Sequence, residues 1–320
     1  MRRLFPILSL FLLSPLVGEY LLGSLPMSMI AILPLMAAMY GSGALLIREV
    51  VRRTGKGWPS IVLLATAYGF IEEGFITQSL FNPNYMHLRL LDFGYLPAIG
   101  TALPWVIFVI SIHVIWSMSV PIALTETLYN DKRTERWLGP VTIPLFALVF
   151  LAGSALIAVF TYKQVPFMAS VPQLVGNGLV VVALIVAALL WPKPSETTGK
   201  PAPHAAILFG AALLSGSGLM IIEHLGPALA HWPWTVGVAL MLGCEVAFVA
   251  FMAVFTLGRS WTAVQRFAVM AGGLMVYVWQ GFMTDMELHG KADLQGHMVI
   301  AAAFVLLCGV AGWRAFRATR

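Results

Sequence analysis

A chain of 320 residues that is 59% hydrophobic and only 10% charged cannot clothe a soluble domain, where about a quarter of residues are usually charged. That excludes a water-soluble globular protein and predicts an all-α, polytopic bundle of transmembrane helices, a single integral membrane domain over residues 1–320. The net charge of +5 is accounted for by membrane topology and anionic lipid headgroups, with no nucleic acid needed as a partner.

About ten apolar stretches follow one another, near residues 4–23, 27–47, 60–80, 99–122, 140–160, 174–191, 205–223, 235–257, 262–283 and 297–315. Each approaches the roughly 20 residues that a helix needs to cross a bilayer. The start, Met1-Arg2-Arg3 before an apolar run, resembles a signal peptide, but no small-x-small cleavage pattern precedes Glu19 and Tyr20. The run is therefore read as the first span. Only Cys244 and Cys308 occur, which leaves neither a disulfide framework nor a cysteine zinc site.

Lys and Arg alternate between the two ends of these stretches, 16 of the 19 falling at one end. The positive-inside rule then predicts that both termini are cytoplasmic, in a plasma (inner) membrane. The Pro-rich segment 192–204 becomes a cytoplasmic loop between spans six and seven. Arg48-Glu49, at the inner end of span two, reads as a snorkelling anchor with its counter-charge.

Within the third stretch, Ala67-Tyr68-Gly69-Phe70-Ile71-Glu72-Glu73-Gly74-Phe75, two adjacent acids lie at membrane depth. An ionised residue there costs about 2.5 to 3.5 kcal/mol even on a mild scale, so such residues pair, protonate or face a cavity. Helical spacing aligns Ala65, Gly69, Glu73 and Thr77 in a small and polar stripe that admits a neighbouring helix. Glu73 is expected to face the bundle. Glu72, about 100° round an α-helix, is expected to reach the same cavity only at its edge. His113 is the histidine set deep in a span, and its depth matches that of the glutamates. The bland reading of each is glue between helices; the sharper reading is a shared catalytic group of Glu72, Glu73 and His113.

Other polar residues fall at the opposite, acidic end. Gln78 lies at the outer end of the third span. Glu223 and His224 end the seventh, with His231 after them, and Asp285, Glu287, His289, Asp293 and His297 are placed in loop nine. Asp285, Glu287, His289 and His297 have the ligand types of a divalent-metal site but no recognised spacing. A solvated loop is the plainer reading. Glu223, His224 and Gln78 are candidate binding residues at the mouth of the cavity. Glu245, in the eighth stretch, faintly echoes the third and is a candidate second coupling site in an inverted repeat.

A double Glu in a membrane helix followed by a His one helix later resembles the CPBP group, the CAAX-processing and bacteriocin-processing intramembrane proteases. The likeness rests on Glu72, Glu73 and His113 over about residues 60–122. Thr77 stands where that family carries an Arg, Val109 where it carries a Phe, and no His-x-x-x-Asn or His-x-x-x-Asp motif occurs. The resemblance implies hydrolysis of a peptide by water that the Glu pair and the His activate. Two further classes stay open: a proton- or cation-coupled transporter using the Glu pair with Glu245, and a non-catalytic membrane scaffold.

Overall fold

In a computed structural model that describes residues 4–194, 197–228 and 232–319, ten helices are long and apolar enough to cross a membrane. They are Leu4–Leu21, Met27–Thr54, Trp58–Ile76, Leu103–Leu128, Thr142–Gln164, Val171–Leu190, Ala205–His224, Trp234–Thr256, Ala263–His289 and Leu294–Arg317, here spans one to ten. The only strands among the described residues are Tyr95–Leu96 and Thr101–Ala102, an antiparallel pair in the loop before span four. Pro59, Pro104 and Pro172 sit in first turns, where a missing N–H costs no intrahelical bond. Ser170 with Gln173 and Thr262 with Gln265 cap spans six and nine as reciprocal boxes.

Two hydrophobic cores share spans one and four. One joins them to span nine through Trp116, stacked on Tyr277 with ring centroids 4.5 Å apart, and to spans seven and ten. The other joins them to spans two and three through Met39, Tyr40, Leu45, Ala65 and Tyr68. Spans one to four are therefore packed on several sides, about half of each being buried.

At the basic end, the snorkelling reading of Arg48 is overturned. Span two runs on to Thr54, where Gly55 closes it in a left-handed conformation (φ 68°), so Arg48 lies nearly two turns inside it. Arg48 is fully buried. Its guanidinium stacks 3.4 Å above Trp137 and donates to Glu126 (3.0 Å) and to the carbonyls of Glu135 (2.8 Å) and Arg133 (2.7 Å). Arg52 completes the pairing of Glu126 at 2.6 Å, while Glu49 takes Arg53 (2.8 Å) and the Trp137 amide (3.0 Å). These bonds fold the loop after span four over the end of span two.

Span nine also outruns its expected end. Asp285, Glu287 and His289 belong to its last turns, and the loop begins only at Gly290. His231 lies outside the described residues.

Candidate functional site

In spans one to four the α-helix loosens at four places into a π-helical turn: Leu16–Leu21, Ala37–Gly41, Glu72–Ile76 and His113–Ser119. Such turns close i to i+5 bonds and cluster at functional sites. Here each carries a polar residue of one connected group: part-buried Glu19 and buried Tyr40, Glu72 with Glu73, and His113. The third shows how the geometry arises. The Thr77 amide donates to the Glu72 carbonyl at 2.8 Å, five residues back, and Asn177 of span six donates to the Phe70 carbonyl at 3.0 Å, at the junction. Gly74 makes room for that asparagine, since a Cβ there would fall 2.3 Å from its amide nitrogen. The wider turn brings Glu72 and Glu73 round together. Glu72 is accordingly not at the cavity edge but buried inside, as are Glu73 and His113.

Gly69 sets the distance between spans three and four. A Cβ added to it would meet Ile110 at 3.2 Å and the His113 Cβ at 3.4 Å, so the stripe of Ala65, Gly69, Glu73 and Thr77 packs against the histidine helix. His113 Nε2 lies 2.7 Å from Glu73 Oε1, and its Nδ1 lies 3.2 Å from Ser117 Oγ and 3.3 Å from Glu72 Oε2. Thr77 donates to Glu73 Oε2 at 2.7 Å, and Ser79 donates to the same oxygen. Glu73 is thus saturated. Glu72 is not: its Oε1 contacts the Tyr40 hydroxyl, while its Oε2 and the nearby Tyr68 hydroxyl have no hydrogen-bond partner among the described residues. The Tyr40 hydroxyl also contacts Glu19 Oε1, and Ser24 donates to Glu19 Oε2 at 2.6 Å.

Over the group lies the loop after span three. Gln78, Met86, His87 and Arg89 have φ between 48° and 63°, a left-handed backbone that non-glycine residues adopt only where surroundings hold them. Burial, then the charges of Glu73, Glu19 and Glu72, push the Tyr85 phenol well above its ordinary pKa. Gln78 holds the loop to the segment before span six, its Oε1 accepting from the Ala169 amide at 2.7 Å.

Among the described residues, Glu72, Glu73 and His113 form the one group of three or more His, Cys, Asp or Glu whose ligand atoms lie within 4.8 Å of one another. Its contacts are those of hydrogen bonding. Two ligands of a tetrahedral zinc, with bonds of roughly 2.0–2.1 Å, stand about 3.3 Å apart. Glu73 and His113, at 2.7 Å, are closer than that and bond each other directly. Glu72 Oε2 and His113 Nδ1 have the spacing, but catalytic zinc usually takes three protein ligands. As arranged, Glu73 and His113 bond each other, and a metal held by all three would need that contact to open.

The remaining candidates are dispersed. Glu245 is half-buried and held by Ser111 of span four, in surroundings unlike those of the Glu pair. Glu223 is half-buried, and His224 lies 3.7 Å from exposed Glu287, beside a groove of about 620 Å³ lined also by Phe282, Met283 and Met286. His289 Nε2 is 3.2 Å from the Ser24 carbonyl. Asp285 and His297 are buried, with both Asp285 oxygens and His297 Nε2 unpartnered among the described residues. Asp293 accepts from the Met27 amide at 2.5 Å, at the start of span two. Sequence reasoning passed over Tyr40, Asn177 and Ser79. Glu19 was visible as an intramembrane acid, but nothing in the sequence tied it to Glu72.

The sequence model of one family, described as an uncharacterised membrane protein family, matches residues 8–319, and the chain belongs to that family. No curated protein and no solved structure matches it.

Proposed function

We propose that this member of the family is an intramembrane hydrolase that activates water at Glu72, Glu73 and His113. One observation carries the reading: Glu73 holds one nitrogen of His113 at 2.7 Å, while Glu72 offers an unpartnered carboxylate oxygen 3.3 Å from the other. The two acids take different roles. Glu73, saturated by His113, Thr77 and Ser79, orients the imidazole, and Glu72 is the base. Glu72 takes a proton from water as the water oxygen attacks a carbonyl carbon, and returns that proton to the departing nitrogen. His113 and the Tyr68 hydroxyl supply hydrogen bonds to the developing oxyanion. The resemblance to intramembrane proteases makes an amide the substrate class.

The test is cleavage of a library of fluorogenic transmembrane peptides by the reconstituted protein in water enriched in heavy oxygen. Cleavage should place one heavy oxygen in the new carboxyl group and disappear in Glu72→Gln. A Glu72→Gln protein as active as wild type removes the proposal. Proton flux into vesicles that depends on Glu72, without cleavage, would replace it by transport.

We also place the basic end in the cytoplasm, on the charge alternation, which opens the site outward. In a background lacking Cys244 and Cys308, Asn84→Cys should react with an impermeant maleimide added outside cells. Labelling only after permeabilisation would invert the topology.

A further inference from the structure

The Tyr40 hydroxyl contacts two carboxyl groups, Glu19 Oε1 and Glu72 Oε1, and a phenol owns one proton. It can donate to one of them only. In the other contact the carboxyl must be the donor, so this arrangement contains a protonated Glu19 or Glu72. Charge leads to the same count. Two buried acids, Glu72 and Glu73, face one imidazole with the part-buried Glu19 one phenol away, and no Lys or Arg ion pair to the three is found among the described residues. Even with His113 charged, two of the three acids must be neutral for the group to carry no net charge, and an uncompensated buried charge is costly.

The contacts are also continuous. Ser24, part-exposed just beyond the end of span one, bonds Glu19; Glu19 meets Tyr40; Tyr40 meets Glu72; Glu72 approaches His113, which bonds Glu73. The other titratable groups beside this line are Tyr20 and Tyr277 near Glu19, Tyr68 near Glu72, and Tyr85 in the loop above all three acids. All are phenols. We propose that Glu19 is the third acid of the site, holding a proton that Tyr40 passes between Glu72 and the water at Ser24.

In the forward direction a proton enters Glu19 from water through the Ser24 hydroxyl. Glu19 gives it to the Tyr40 oxygen as Tyr40 releases its own proton to Glu72, and no other bond changes. The inference rests on the water-activation reading only in giving the line a use: run in reverse, it carries out through Glu19 and Ser24 a proton that the new carboxyl group leaves on Glu72, and so restores the base.

The experiment is infrared spectroscopy of the full-length protein in phosphatidylcholine vesicles, with exchange into heavy water followed in time. At neutral pH the wild type should show a protonated-carboxyl stretch, diminished in both Glu19→Gln and Glu72→Gln. Tyr40→Phe, which removes one oxygen from the line, should slow exchange of that stretch by about 10²-fold or more, the lower end of what a positioned proton donor contributes. Ser24→Ala should slow it too, and decides the matter if Tyr40→Phe fails to fold. Absence of the stretch in wild type, or unchanged exchange in the folded variants, overturns the relay. The readout needs no turnover. Peptide cleavage that depends on Glu72 with unchanged exchange sinks the relay alone, and slowed exchange without cleavage sinks hydrolysis alone.

Discussion

Spans five to eight are the more apolar, with mean hydropathy of 2.1 to 2.5 against 1.2 to 2.1 for spans one to four. Their backbones differ. All four π-helical turns, with Glu19, Tyr40, Glu72, Glu73 and His113, fall in spans one to four, where 50 to 56% of each span is buried; in spans five to eight, 6 to 28% is buried and the helices run as continuous α. The reason is hydrogen bonding. A helix facing lipid has only itself to satisfy its N–H and C=O groups, whereas one enclosed by protein can loosen a turn because neighbours supply partners. Ser14 donates to the Ser117 carbonyl at 2.6 Å and Asn177 to that of Phe70. Irregular backbone is what lets four helices aim polar side chains at one point.

The sharpest way to break this contrast is through the acids on either side of it. Glu72→Gln and Glu73→Gln should each lower activity by about 10²–10⁴-fold, the range of a positioned acid or base, with folded yield unchanged. Glu245→Gln, in span eight, should leave activity near wild type. Equal losses at Glu72 and Glu245, in the same peptide assay, would mean that the peripheral spans share the chemistry.

The next effect is structural. Arg48→Met leaves Glu126 at the buried end of span four with Arg52 alone, and removing one partner of a buried ion pair typically costs about 3–5 kcal/mol. Denaturant titration in detergent should register a loss of that order. A shift no larger than that of the lipid-facing variant Leu148→Ala would make the network decorative.

These contrasts also mark what the sequence could disclose. Ten apolar runs with alternating charge are strong signals because each averages over some twenty residues. Glu72, Glu73 and His113 stood out since each is costly at that depth. The inward turn of Glu72 was not legible: α-helical spacing puts it at the cavity edge, and only a π turn, set by partners such as Asn177 on a distant span, brings it in. Tyr40 looked like any aromatic of an apolar helix. Arg48 and Asp285 were misplaced for a shared reason, because charged residues near a span end read as the end itself, whereas spans two and nine carry theirs inside.

Gly41→Ala tests the close approach of spans one and two. A Cβ there would fall 2.1 Å from the Phe11 carbonyl oxygen, a backbone atom that cannot swing aside, and overpacking of this kind costs about 1–3 kcal/mol. Thermal unfolding should shift down accordingly.

A smaller effect should emerge at high pH. The Tyr85 phenol is held well above its ordinary value, so its neutral form favours the folded state. That contribution is complete below the unfolded value of about 10 and is lost as pH rises through the folded value. Tyr85→Phe should therefore flatten the fall in unfolding midpoint above about pH 10 and leave the neutral range unchanged. Parallel curves for the two proteins would show that the loop residue is solvated instead.

The smallest expected change is the counterpart of Gly41. Nothing lies within 4 Å of a Cβ built on Gly243 in span eight or on Gly176 in span six, so no neighbour has to move. An exposed helical glycine is about 1 kcal/mol less favourable than alanine because it surrenders more backbone freedom on folding. Gly243→Ala and Gly176→Ala should thus unfold at or slightly above the wild-type midpoint. The opposite sign at Gly41 would then come from packing, since the residue change is identical and only the enclosure differs. If Gly243→Ala destabilised the protein as much as Gly41→Ala, span eight would have to be packed against something other than lipid, and the division of the bundle into an enclosed half and a lipid-facing half would fail.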